Sequence, residues 1–265
     1  MAQGGESQGS DVQGGEMQGG EWTGPQGGAP SGPGAAGASG GFLRRALDLF
    51  IAPGACFAAV ERVPKTWWQP LLVLTLASVA LVAFGYEQII LPAQLEAMRS
   101  QSEISGADLA RAEEVIRSPM VRAIGIAGAA LGLPIVALLM ALIAHLAVGF
   151  LLGGGGTFLA SWAVVCYALL VGVLELLLKL PAMLKQGTPE IFFGPALLLE
   201  RTEPPSFLFQ VLKEFDVFTL WKIALIAVGL AAVHRVRPKT VLVTLLGIWL
   251  LWALGSATVS TALRG

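Results

Sequence analysis

The sequence predicts an all-α, polytopic membrane bundle of about five transmembrane helices, preceded by short interfacial helices and a disordered N-terminal tail. Three observations predict it. About five stretches supply the roughly 20 mostly apolar residues a helix needs to satisfy its own backbone across a bilayer. Charged residues make up only 13% of the 265-residue chain, about half the roughly 25% of an ordinary soluble domain. Mean hydropathy is +0.71 although residues 1–41 are almost entirely polar or glycine, so the remainder is more apolar still.

Residues 1–41 read as a disordered Gly/Gln-rich tail. Gln-Gly-Gly-Glu recurs at Gln3, Gln13 and Gln18, and a Gly/Ala/Pro/Ser stretch follows from Gly24. Such composition buries too little apolar surface to offset the entropy of ordering. No Lys or Arg precedes Arg44 and no early apolar core exists, so the first true span is expected to direct insertion and to be retained.

The membrane domain is expected over 42–265. Phe42, Leu43, Ala46, Leu47, Phe50 and Ile51 recur at helical spacing, with Arg44, Arg45 and Asp48 opposite. Pro53-Gly54 breaks that helix, and a second short one runs to Val63 before Pro64. Both suit helices lying along the headgroups, or docked on the protein's own core. The spans follow at about 68–90, 122–152, 158–180, 217–236 and 241–263. Pro134 predicts a kink or tilt in the second. In the loop before the fourth, Phe207, Leu208, Val211, Leu212 and Phe215 suggest one apolar helical face, hinged after Pro204-Pro205.

Basic residues set the orientation. Arg44 and Arg45 precede the first span, and Arg235, Arg237 and Lys239 crowd the turn between the last two without an acid. The loops 91–121 and 181–216 carry more acids than bases. The expected arrangement is therefore N-terminus cytoplasmic, in the plasma or inner membrane if the source is bacterial, with basic residues at the cytoplasmic surface.

Ionisable residues inside spans are costly, which makes them candidates for function. Glu175 and Lys179 are spaced i, i+4 on one face. Glu175 near the end of the third span and Lys222 near the start of the fourth lie roughly 7–8 Å deep on the same side, at 1.5 Å per residue. An interhelical Glu175–Lys222 pair is therefore expected, and its structural reading outweighs a transport path because one shallow acid and two lysines do not form a relay. His145 has no acid in its own span, so a helix–helix hydrogen bond is its expected role. Gly125, Gly128 and Gly132 suit close helix packing, with an internal seam preferred over a dimer face.

Several function classes are excluded or left without support. With net charge −1, nucleic acid is not an expected partner. Cys56 and Cys166 stand far apart, only two histidines occur and no HExxH is found, so neither metal nor cofactor is expected. Gly153–Gly156 lacks the Lys-Ser/Thr ending of a phosphate-binding loop. No catalytic set emerges, and the chain is not expected to be an enzyme.

The order of several weak motifs resembles the YIP1 family, bacterial type, over roughly Phe42 to Ser260. They are Phe50-x-x-Pro53 with Phe57, Trp68-x-Pro70-Leu71, and the Gly-rich turn before Phe158 and Tyr167. Phe215-Asp216-Val217-Phe218-x-x-Trp221 leading into Gly229-Leu230 follows, then Lys239. The resemblance implies a five-span bundle with a cytoplasmic N-terminus, acting as a scaffold or adaptor in membrane organisation or trafficking. Beyond the bilayer, it implies protein partners or self-association. Eukaryotic members associate with small GTPases, but their Asp-Leu-Tyr-Gly-Pro-like stretch has no counterpart here, which argues against carrying GTPase binding over. The alternative is a small transporter or channel component using Glu175, Lys222 and His145.

Overall fold

A computed structural model describes residues 41–99, 106–199 and 206–262. The expected tail and the Pro204-Pro205 hinge lie outside the described residues. Among the described residues all regular structure is helical, and five helices are long and apolar enough to cross a membrane: Pro64–Arg99, Pro119–Leu151, Phe158–Gln186, Val217–His234 and Pro238–Ala262.

Two short helices lead in, α1 (Phe42–Ile51) and α2 (Pro53–Arg62). They dock on the bundle, with Leu49, Cys56, Phe57 and Val60 fully buried. A 3-10 turn, Pro64–Trp67, feeds α3 (Trp68–Gly85). Where a loop was expected from Leu91, the helix continues instead. A π-helical turn at Tyr86–Ile90 re-aims it into α4 (Leu91–Arg99), which buries Leu91 and Leu95 against Tyr86. The segment α5 (Gly106–Ile116) then leads back to the second span.

That span, α6 (Pro119–Leu146), is capped by the Ser118 hydroxyl and extended by a π-helical turn at Ala147–Leu151. Pro134 sits inside α6 without splitting it. The third span is broken in the middle, into α7 (Phe158–Ala168) and α8 (Val171–Gln186), and it runs on past Pro181, beyond its expected end. After α9 (Phe207–Leu212) come α10 (Val217–His234) and α11 (Pro238–Ala262). The buried side of α9 differs from the expected face. Phe209 and Gln210 are buried while Phe207 and Leu208 are exposed. Six residues make under two turns, and on the inward side Phe209 meets the Phe192 ring edge-on at 6.0 Å.

Burial ranks the spans. About half of the apolar window of α10 (56%) and of the third span (50%) lies inside the protein, against 11% for α6 and 17% for α11. In α7, every residue from Ala160 to Ala168 is buried. The third and fourth spans are thus the axis of the bundle, and every polar cluster described below is built on them.

Candidate functional site

The first cluster joins α8 to α10. Lys179 Nζ lies 2.7 Å from Glu175 Oε1 and 2.9 Å from Asp216 Oδ2, and Lys222 Nζ lies 2.9 Å from Glu175 Oε2. Two carboxylates and two ammonium groups thus alternate in one chain of ion pairs. Lys179 and Asp216 are its buried half, with side chains 8% and 6% exposed. The rings of Phe193 and Phe218 flank the Lys179 ammonium at 5.9 and 5.6 Å, within cation–π reach.

Asp216 holds this cluster in place through the backbone. It is the N-cap of α10, where Oδ1 accepts from the Phe218 N–H at 2.9 Å. Its Oδ2 accepts from the Phe193 N–H at 2.9 Å as well as from Lys179. Burial on its own pushes this carboxyl up, but the N–H of Phe193, the Lys179 ammonium and the N–H of Phe218 together hold it below the usual carboxylate range. Sequence reasoning left Asp216 among the loop acids. The available signal was its position directly before an apolar run, which marks a helix N-cap.

The second cluster lies at the other end of the same spans. His145 Nδ1 is 3.0 Å from Ser161 Oγ, and Ser161 Oγ is 2.9 Å from His234 Nε2. The Gly156 N–H donates to His234 Nδ1 at 3.2 Å. With Nδ1 accepting, a neutral His234 ring would donate from Nε2 to Ser161. The glycine-rich turn has a steric reason. A Cβ on Gly154 would stand 2.6 Å from His234 Nδ1, and one on Gly156 would stand 2.7 Å from Val233 and 2.9 Å from the His234 ring. The turn is a backbone cradle for one imidazole. His234 was not among the expected site residues, because nothing local shows that the two ends of this hydrogen-bonded chain meet.

A third cluster ties the entry helices to α7. The Tyr167 hydroxyl accepts from Arg45 Nε at 2.9 Å and lies 3.2 Å from the Thr66 hydroxyl, while a second Arg45 nitrogen donates to Gln69 at 3.0 Å. Arg45, expected at the membrane surface, is thus half-buried on the bundle. Arg44 stays exposed beside Asp48, and Arg235, Arg237 and Lys239 stand exposed around the α10–α11 turn. We call this the basic end of the molecule.

Of the three α6 glycines, Gly125 alone meets a neighbouring span at its Cβ position. Gly125 is in contact with Val82, but Gly128 and Gly132 have open space where a Cβ would stand. Gly128 is exposed and Gly132 half-buried. Among the described residues, no group of three or more His, Cys, Asp and Glu side chains stands together as metal ligands would.

The model of the Yip1 domain matches residues 47–259. The chain belongs to the Yip1 family. No curated protein and no solved structure matches the chain. The Yip1 domain of this protein holds both the α8–α10 ion network and the His145–Ser161–His234 chain, and it begins just after Arg45.

Proposed function

We propose that this Yip1-family protein is a non-enzymatic membrane scaffold or adaptor, working in membrane organisation or trafficking with its N-terminus in the cytoplasm. The observation that carries this reading is the closure of the ion network: Glu175, Lys179, Asp216 and Lys222 neutralise one another. Here each buried charge braces one helix against the next, which is what a rigid platform for other proteins requires. The open space at the Cβ positions of Gly128 and Gly132 on α6 supports close approach by a further helix.

Cross-linking in native membranes followed by purification in mild detergent tests the proposal. We expect one recurrent, stoichiometric partner or a defined self-assembly. A strictly monomeric protein without a recurrent partner would overturn it. So would solute flux in proteoliposomes that a Glu175→Ala/Lys222→Ala variant abolishes, which would establish transport instead.

A further inference from the structure

The entry helices follow a closed path. Arg45, in α1, and Thr66, after α2, lie on opposite sides of the α1–α2 turn, yet both meet the Tyr167 hydroxyl. Arg45 also bonds Gln69. The chain therefore leaves Tyr167, turns at Ala52-Pro53 and returns to where it started.

Two contacts measure how far the excursion reaches. Phe57 in α2 packs at Gly229, where a Cβ would stand 2.9 Å from its ring. Phe50, nearer the turn, meets Trp221 edge-on with ring centres 5.7 Å apart. At 1.5 Å per residue, Trp221 is about 12 Å beyond Gly229 along α10 and about 20 Å from the basic end at His234. A hydrocarbon core is about 30 Å thick. The turn thus lies deeper than the headgroups at the basic end.

The sequence of the turn suits that depth. No charge occurs between Asp48 and Glu61, whereas Arg44, Arg45, Glu61, Arg62 and Lys65 flank it. The backbone is partly closed locally: the Ala52 N–H donates to Asp48 O, and those of Ala55 and Cys56 donate to Ala52 O. Pro53 has no N–H to satisfy. Each such bond lowers the cost of placing backbone in hydrocarbon. The side chain at the tip is apolar and uncovered, with Ile51 82% exposed.

We propose that α1–α2 is a re-entrant hairpin that dips from the basic end and seats its tip, around Ile51, among lipid acyl chains. Its partner is the acyl layer itself, and the exposed Glu61, Arg62 and Lys65 hold its second end towards water.

Nitroxide labels at Ile51→Cys and Glu61→Cys, in protein reconstituted into phospholipid vesicles, test this. The wild-type thiols, Cys56 and Cys166, are fully buried, so labelled wild type reports the background. The label at 51 is expected to collide mainly with oxygen and the label at 61 mainly with a water-soluble nickel chelate. Equal nickel access at both positions would overturn the proposal, and so would a label at 51 shielded from both reagents, because protein would then cover the tip. Leu47→Cys, 62% exposed and one turn before Ile51, repeats the measurement if Ile51→Cys fails to fold. Oxygen preference there supports the proposal, and nickel preference equal to that at 61 overturns it.

Discussion

Lys179 reaches from the third span to Asp216, the residue that caps the fourth, with Nζ 2.9 Å from Oδ2. One carboxylate therefore does two jobs, neutralising a buried lysine through Oδ2 and capping the start of α10 through Oδ1.

Replacing Asp216 by Asn is expected to lower stability by roughly 3 kcal/mol, because it leaves Lys179 buried with only Glu175 to balance it. Asp108→Asn, in an exposed pair with Arg111, is the control and should leave the melting temperature unchanged. Thermal unfolding in detergent measures both.

The Asp216 carboxyl titrates below its ordinary range, so its stabilising contribution is complete above roughly pH 4 and is lost as pH falls through the depressed folded value. The stability gap between wild type and Asp216→Asn should hold constant from neutral to mildly acidic pH and close only below that. A gap that opened on acidification would contradict this account.

Gly154→Ala and Gly156→Ala should each destabilise by about 1–3 kcal/mol, since the added methyl collides with the His234 ring or Val233. Gly155→Ala, with nothing near its Cβ position, should be close to neutral. Unfolding curves for the three variants separate a cradle for His234 from a merely flexible turn.

Gly229→Ala brings a methyl 2.4 Å from Val164 and 2.9 Å from Phe57, so α2 has to shift from α10. Buried Cys56, one residue before Phe57, should then react with maleimide in the folded protein, whereas in wild type it should not. Gly247→Ala, which meets open space, should leave Cys56 protected.

Local signals carried most of the architecture. Apolar runs of bilayer length marked the five spans because backbone satisfaction in lipid forces helix. Counting turns from two span ends placed Glu175 and Lys222 at one depth, and the structure has them 2.9 Å apart. Contacts between distant segments were not legible. Ser161 joins His145 and His234 from three different helices, and no spacing announces their meeting. Nor does the amphipathic pattern of α1 show where that helix docks, because Arg45 looks like a surface residue until Tyr167 and Gln69 appear beside it. The continuation of the first span past Ile90 into Leu91–Arg99 was missed for another reason: the π-helical turn just before it changes the helical period, so the 3.6-residue pattern breaks without the helix ending.

The fit of Phe57 against Gly229 also has a consequence in time. Phe57 leaves the ribosome well before Gly229, so its seat does not exist until the fourth span has been made. At 5–20 residues per second, the intervening stretch takes on the order of 10–30 s to synthesise. Through that interval α2 must wait, held by lipid or by a helper protein, so the first part of the membrane domain to be born is among the last to be assembled.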